Sequence, residues 1–159
     1  MVLELVQGYE GSGRSIIADN FFTSLDLVRQ LLDRQLTYCG TVRKNRQGIP
    51  PLAVTAAFAG ERDLFLFNEV MKATLLRHVH GRNRFVLLLS TAHYSAEVIQ
   101  RSDREEDRIP AIIDYYNCNK GGVDTADYMI SAYSGQFPTR RWPVKVTFLF
   151  DLANLVIIN

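Results

Sequence analysis

The sequence predicts an α/β domain with a β-rich insertion. A short apolar run at residues 15–18, an amphipathic stretch at 24–35 and a second apolar run at 37–42 follow one another. This strand, helix, strand order is that of a βαβ unit, so we expect a sheet that is at least partly parallel. Three strand-like runs between residues 58 and 92 suggest a β-meander, and the chain ends in helical patterns. We therefore divide the chain into an N-terminal core part (1–49), an insertion with a charged loop (50–108) and a C-terminal helical part (109–159).

Local signals place the boundaries of these elements. Thr23 is expected to cap the first long helix, with Asp26 at its third position. The charged residues 100–108 are expected to form an exposed loop. Strands are predicted at 63–67, 72–79 and 84–90, and C-terminal helices at 109–116, 125–133 and 144–158.

The composition excludes several classes of protein. The chain has 159 residues and a formal net charge of +1, so it lacks the strong basic excess of most stand-alone nucleic-acid modules. Cys39 and Cys118 lie far apart, which argues against a disulfide scaffold or a cysteine zinc site and suits a reducing intracellular compartment. No apolar run approaches the ~20 residues of a membrane span and no signal peptide is visible. We expect a soluble protein with no membrane partner.

His78 and His80 alternate along one predicted strand of the insertion. Two histidines at this spacing can ligate zinc, but no third ligand is evident nearby. A solvated basic strand, continued by Arg77 and Arg82, is the favoured interpretation.

Three aspartates occupy positions where chemistry can take place. Asp19 closes an apolar strand, and ligands gather at the carboxyl ends of strands in open α/β sheets. Asp124 and Asp127 are three residues apart at the start of a helix, which puts them on one helical face. A two-Mg²⁺ site needs several hard oxygen ligands from different elements, and these carboxylates meet that need.

A structural interpretation of the same aspartates is also open. Asp19 can form an Asx turn between strand and helix. Asp124 suits an N-cap, with Asp127 as the reciprocal carboxylate at the third helical position. The pattern alone does not decide between metal binding and capping, because capping aspartates far outnumber catalytic ones.

Several motifs occur in a fixed order along the whole chain. They are Asp19-Asn20-Phe21-Phe22-Thr23-Ser24, Gly40-Thr41-Val42-Arg43, Leu89-Ser90-Thr91, Tyr116-Asn117 followed by Lys120-Gly121-Gly122-Val123-Asp124-Thr125-Ala126-Asp127, and Arg141-Trp142-Pro143. This succession resembles the piggyBac transposase family, including the domesticated proteins derived from such elements. The first motif and the one ending at Asp127 are long enough to be specific.

The resemblance implies an RNase H-like transposase catalytic core with a β-rich insertion between the second and third catalytic aspartates. In that family three aspartates hold two divalent metal ions. Asp19 matches the second aspartate, Asp124 the third and Asp127 an additional acidic residue near the third. Mg²⁺ is the implied cofactor, with Asp19 and Asp124 as its ligands here.

The chain also departs from the family pattern. No aspartate precedes Asp19, so the first catalytic aspartate is missing and the core is expected to be incomplete at its N-terminus. We expect this chain alone to be inactive in DNA strand cleavage and transfer. A domesticated, non-catalytic DNA- or protein-binding module and a decayed element remnant are the alternatives.

The resemblance further implies DNA partners, namely transposon ends and target DNA, together with a possible homodimer and a nuclear location. Arg140, Arg141, Trp142 and Lys145 form a basic-aromatic cluster suited to phosphate contacts and base stacking. Packing of Trp142 in the first turn of a helix is the competing interpretation. Arg43, after the second strand, is a further candidate for a backbone contact.

Overall fold

The structure is a computed structural model that describes residues 1–55, 62–81, 84–100 and 108–133. The chain divides into two compact units, residues 1–119 and 120–159. The helix predicted at 144–158 lies outside the described residues.

The described elements alternate between helices and strands at first, then run as consecutive strands, and end in two helices. In chain order they are α1 (Val2–Leu5), β1 (Ser15–Ala18), α2 (Leu25–Asp33), β2 (Thr37–Val42), α3 (Pro51–Val54), β3 (Asp63–Asn68), β4 (Ala73–Val79), β5 (Phe85–Ser90), β6 (Val98–Gln100), β7 (Arg108–Pro110), α4 (Ala111–Asn119) and α5 (Gly122–Tyr133).

A five-stranded sheet in the order β1-β2-β5-β4-β3 forms the centre of the first unit. β1 and β2 are parallel, which confirms the pairing expected for the βαβ order. The meander strands are antiparallel to one another, and β5 pairs antiparallel with β2. The strands predicted between residues 58 and 92 therefore continue the same sheet. The three-part division of the chain remains a prediction.

Each face of the sheet carries a hydrophobic cluster. Because side chains alternate along a strand, neighbours such as Leu75 and Leu76 belong to different clusters. Val28 and Leu31 of α2, both fully buried, pack on one face. Ile112 of α4 packs on the other face. Both faces of β2 are thus covered, and packing on the two faces fixes the position of this strand.

The predicted N-cap of α2 is wrong by one residue. Ser24 caps the helix, and its side chain accepts a hydrogen bond of 3.1 Å from the Leu27 N–H. Thr23 is fully buried instead. Threonine and serine are both good caps, so the local pattern does not separate them, and contacts from distant residues decide.

The ends of the predicted charged loop are strands. β6 and β7 pair antiparallel, with Gln100 opposite Arg108 and Ile99 opposite Ile109. Ile109 is therefore a strand residue, and the following helix begins at Ala111. Residues 101–107 lie outside the described residues. In the part of the chain that the structure covers, no helix combines the length and apolar character needed to cross a membrane.

Candidate catalytic site

Asp19 directly follows the last residue of β1 and is exposed. Its Oδ1 accepts a hydrogen bond of 3.1 Å from the Phe21 N–H, so the Asx turn that was one of the two open interpretations of Asp19 is present. The Asp19 main-chain carbonyl accepts from the N–H groups of Phe22 and Thr23, at 3.2 and 3.3 Å. Residues 19–24, called the Asp19 loop below, thus form a tight turn with an exposed carboxylate at its start.

The side chain of Thr23 connects the Asp19 loop to β2. Its Oγ1 lies 2.9 Å from the Asp19 carbonyl oxygen, 2.6 Å from the Tyr38 hydroxyl and 2.5 Å from the Thr41 carbonyl oxygen. Thr23 has one hydroxyl hydrogen, which serves the two carbonyl oxygens. The Tyr38 hydroxyl must therefore be the donor to Thr23.

Tyr38 reaches Thr23 because Gly40 has no side chain. A Cβ added at Gly40 would lie 2.5 Å from the Ala18 carbonyl oxygen and 2.6 Å from the Tyr38 hydroxyl, both too close for any real contact. Tyr38 is fully buried, and this burial raises its pKa to about 12. The phenol therefore keeps its proton at neutral pH.

A third motif holds the main chain of Tyr38. The Tyr38 N–H donates to Thr91 Oγ1 at 2.8 Å, and the Thr91 N–H donates to the Tyr38 carbonyl at 2.8 Å. Motifs that are distant in the sequence, at residues 19–24, 40–43 and 89–91, thus meet around one tyrosine. This convergence gives a physical reason for their joint occurrence.

Two arginines after β2 hold the exposed side of the Asp19 loop. Arg43 Nε donates to Asn20 Oδ1 at 3.1 Å, and its guanidinium lies 5.8 Å from the centre of the Phe21 ring. Arg46 Nη2 donates to the carbonyls of Asn20 and Phe21, at 3.3 and 3.1 Å. Both arginines line a cleft beside the N-terminus of α2. Arg43 is exposed, so it has a structural contact and an accessible charge together.

Asp124 and Asp127 lie in α5, within the second unit. The helix begins at Gly122, and Asp124 is in its first turn. The suggested N-cap role of Asp124 is therefore wrong, since the residue is already helical. Thr125 closes the turn, because its N–H and hydroxyl both donate to the Gly121 carbonyl, at 3.0 and 2.9 Å. The two aspartates are one helical turn apart, as the sequence predicts.

The carboxylates suit a hard cation in their chemistry, since Mg²⁺ prefers oxygen ligands. Within residues 1–55, 62–81, 84–100 and 108–133, however, no group of three or more His, Cys, Asp or Glu side chains is arranged to hold a metal ion. Asp19 and Asp124 belong to different units. The candidate DNA-binding residues of the C-terminal segment, Arg140, Arg141, Trp142 and Lys145, lie outside the described residues.

Sequence reasoning missed two buried polar contacts. His78 is buried, with Nδ1 2.5 Å from Asp63 Oδ1, so the solvated strand expected there is wrong at this residue. The contact depends on the register of β3 and β4, which places His78 opposite Asp63 and which the sequence pattern does not specify. Tyr38 was also missed. Its only signal was an aromatic residue two positions before a glycine on a strand, which is too common to interpret.

Comparison with known proteins agrees with this arrangement. A family model of transposases, described as Transposase IS4, matches residues 1–159. The chain is also similar to piggyBac transposase in a cryo-EM structure of its synaptic complex with hairpin DNA, with 34% sequence identity and a TM-score of 0.81. The match covers 99% of this chain and 32% of that chain, so this chain spans about a third of the piggyBac protein. The protein belongs to the transposase family that this model describes, and it has a mixed α/β fold similar to that of piggyBac transposase.

Proposed function

We propose that this chain is part of the RNase H-like catalytic region of a piggyBac-like DNA transposase. In this proposal Asp19, Asp124 and Asp127 supply carboxylates for Mg²⁺-dependent DNA strand cleavage and transfer. The observation that carries it is the position of Asp19. This residue lies at the carboxyl end of a parallel strand, on an exposed turn. Hydrogen bonds with the Gly40-Thr41-Val42-Arg43 motif hold this turn in position.

The residues have distinct parts in this mechanism. Bound Mg²⁺ would supply activation of a nucleophile and stabilisation of the leaving oxygen at the scissile phosphate. The protein holds the Asp19 carboxylate at the end of β1, where one of its oxygens already accepts a main-chain N–H. Asp124 and Asp127 present carboxylates from one side of α5.

DNA is the proposed partner of the basic residues. Arg43 is exposed next to the Asp19 loop, and only one of its five N–H donors is needed for Asn20. Arg140, Arg141, Trp142 and Lys145 are proposed as further contacts to phosphates and an unpaired base. The hairpin DNA in the similar piggyBac complex supports this partner. A nuclear location and a homodimer belong to the same proposal.

We also propose that residues 1–159 do not cut DNA by themselves. Residues 1–18 contain no aspartate to act as the first catalytic carboxylate, and a two-metal site that lacks one carboxylate would hold its metal ions less tightly. The alternative function, a non-catalytic DNA- or protein-binding module, has support in the Asx turn, which gives Asp19 a structural use.

Mn²⁺ as a paramagnetic probe tests the metal-binding part of the proposal. Mn²⁺ added to the chain should broaden the NMR resonances of the Asn20 and Phe21 amides, and Asp19→Asn should abolish this effect. Asp33→Asn is the matched control, since Asp33 is an exposed aspartate at the end of α2. Equal broadening in wild type and Asp19→Asn would show that Asp19 binds no metal.

A nicking assay and a DNA-binding titration separate the two functions. With Mg²⁺ the chain should leave supercoiled DNA uncut, so robust nicking would refute the proposed inactivity. DNA binding should weaken steeply with salt. It should also weaken in Arg43→Ala and not in Arg29→Ala, which removes an exposed charge from α2. Binding that responds to neither salt nor Arg43 would refute the proposed DNA contact.

A further inference from the structure

We propose that Thr23 and Tyr38 are positioning residues for Asp19, forming a buried hydroxyl pair that sets where its carboxylate stands at the end of β1. This inference rests on the proposed function of Asp19. It adds two residues that make no contact with metal or DNA and act through the main chain of the Asp19 loop.

The hydrogen bonds of Thr23 are directed at the main chain of Asp19. The Thr23 hydroxyl and main-chain N–H both point to the Asp19 carbonyl oxygen, at 2.9 and 3.3 Å. Thr23, four positions further along the chain, therefore holds the peptide group of Asp19. The same hydroxyl contacts the Thr41 carbonyl of β2. This contact fixes the start of the Asp19 loop relative to the neighbouring strand.

The number of available protons determines which of the two hydroxyl groups is the donor. Thr23 Oγ1 has three oxygen neighbours and one hydrogen to donate. All three contacts are hydrogen bonds only when the Tyr38 hydroxyl donates to Thr23. Both residues are fully buried, so water does not replace a lost partner without opening the core. An unsatisfied buried hydroxyl is costly, and this cost favours one geometry of the loop.

Tyr38 is itself fixed by its neighbours. Thr91 holds its main chain through two hydrogen bonds of 2.8 Å, and Gly40 provides the space for its hydroxyl. The loop is thus tied to the middle of the sheet by a rigid aromatic side chain. Mutation of residues that orient metal ligands without touching the metal typically changes metal affinity about 10–100-fold.

The test uses the full 159-residue chain and the Mn²⁺ broadening of Asn20 and Phe21. Thr23→Val removes the hydroxyl at similar volume, and we expect it to raise the Mn²⁺ concentration for half-maximal broadening about tenfold. Thr23→Ser keeps the hydroxyl and should stay within about twofold of wild type. Tyr38→Phe should shift the response in the same direction as Thr23→Val, which provides a second variant if the valine protein fails to fold.

Thr74→Val is the matched control for a purely structural effect. Thr74 is also a fully buried threonine, and its hydroxyl donates to the His93 carbonyl at 2.7 Å, away from the Asp19 loop. It should lower stability in urea unfolding without changing the Mn²⁺ response. If Asp19→Asn abolishes the response while Thr23→Val and Tyr38→Phe leave it within twofold of wild type, the positioning role is wrong. If Asp19→Asn has no effect either, the proposed function itself fails.

Discussion

The two groups of candidate carboxylates are held in different ways. Asp19 owes its position to side chains far along the sequence, through the contacts of Thr23 with Tyr38 and Thr41. Asp124 and Asp127 owe theirs to the regular turn of α5 and to its start at Gly122. A carboxylate placed by tertiary contacts is sensitive to changes in the core. A carboxylate placed by helical geometry depends mainly on the helix, so the two groups should respond differently to mutation.

The largest expected effect is that of Gly40→Ala. The added methyl group would clash with the Ala18 carbonyl and the Tyr38 hydroxyl, so we expect the free energy of unfolding to fall by about 3 kcal/mol. Gly122→Ala at the start of α5 has open space around its Cβ and should change stability by less than about 0.5 kcal/mol. Urea unfolding measures both. Equal stability of the two variants would show that both the β1 main chain at Ala18 and the Tyr38 side chain can shift to make room.

A smaller effect is expected for Arg46→Ala. This change removes the hydrogen bonds of a charged donor to the Asn20 and Phe21 carbonyls, and it should cost about 1.5 kcal/mol in urea unfolding. Arg29→Ala, on the exposed side of α2, is the control and should be neutral within about 0.5 kcal/mol. A neutral Arg46 variant would mean that Thr23 and Arg43 hold the Asp19 loop without a contribution from Arg46.

The smallest effect is expected for Asp124→Asn. A carboxylate in the first turn of a helix interacts favourably with the helix dipole, so its loss should cost about 0.5 kcal/mol at low salt. The measurement is thermal unfolding in low and high salt, because screening should reduce the difference between wild type and variant. A loss as large as that of Gly40→Ala would contradict a purely helical placement of Asp124.

Sequence patterns predicted those parts of the fold that depend on local order. The strands Ser15–Ala18 and Thr37–Val42 were predicted with the observed bounds, because each is a short β-forming run ended by turn or polar residues. The meander strands were predicted within one residue at each end. The parallel pairing followed from the strand, helix, strand order.

The candidate site was predictable in its residues and not in its construction. Asp19 stood out as a strand-end carboxylate, yet the burial of Thr23 was hidden because Ser24 offers an equivalent cap. The role of Tyr38 depends on Thr91, which is more than fifty residues away in sequence. Pairing of β6 with β7 was missed for a similar reason, since three-residue strands carry too little pattern to separate from a charged loop.

The two cysteines lie at opposite extremes of exposure, and this difference makes the opening of the sheet measurable by chemistry. Cys39 is fully buried in β2, between Tyr38 and Gly40, and burial raises its pKa to about 11, although the hydrogen bond with Ser90 acts in the opposite direction. Thiol reagents react with the thiolate, so Cys39 should be modified only when β2 becomes exposed. Cys118, near the end of α4, is exposed and reacts without any opening. The ratio of the two labelling rates in one molecule therefore reports how often β2, which pairs with the strand that ends before Asp19, separates from its neighbours.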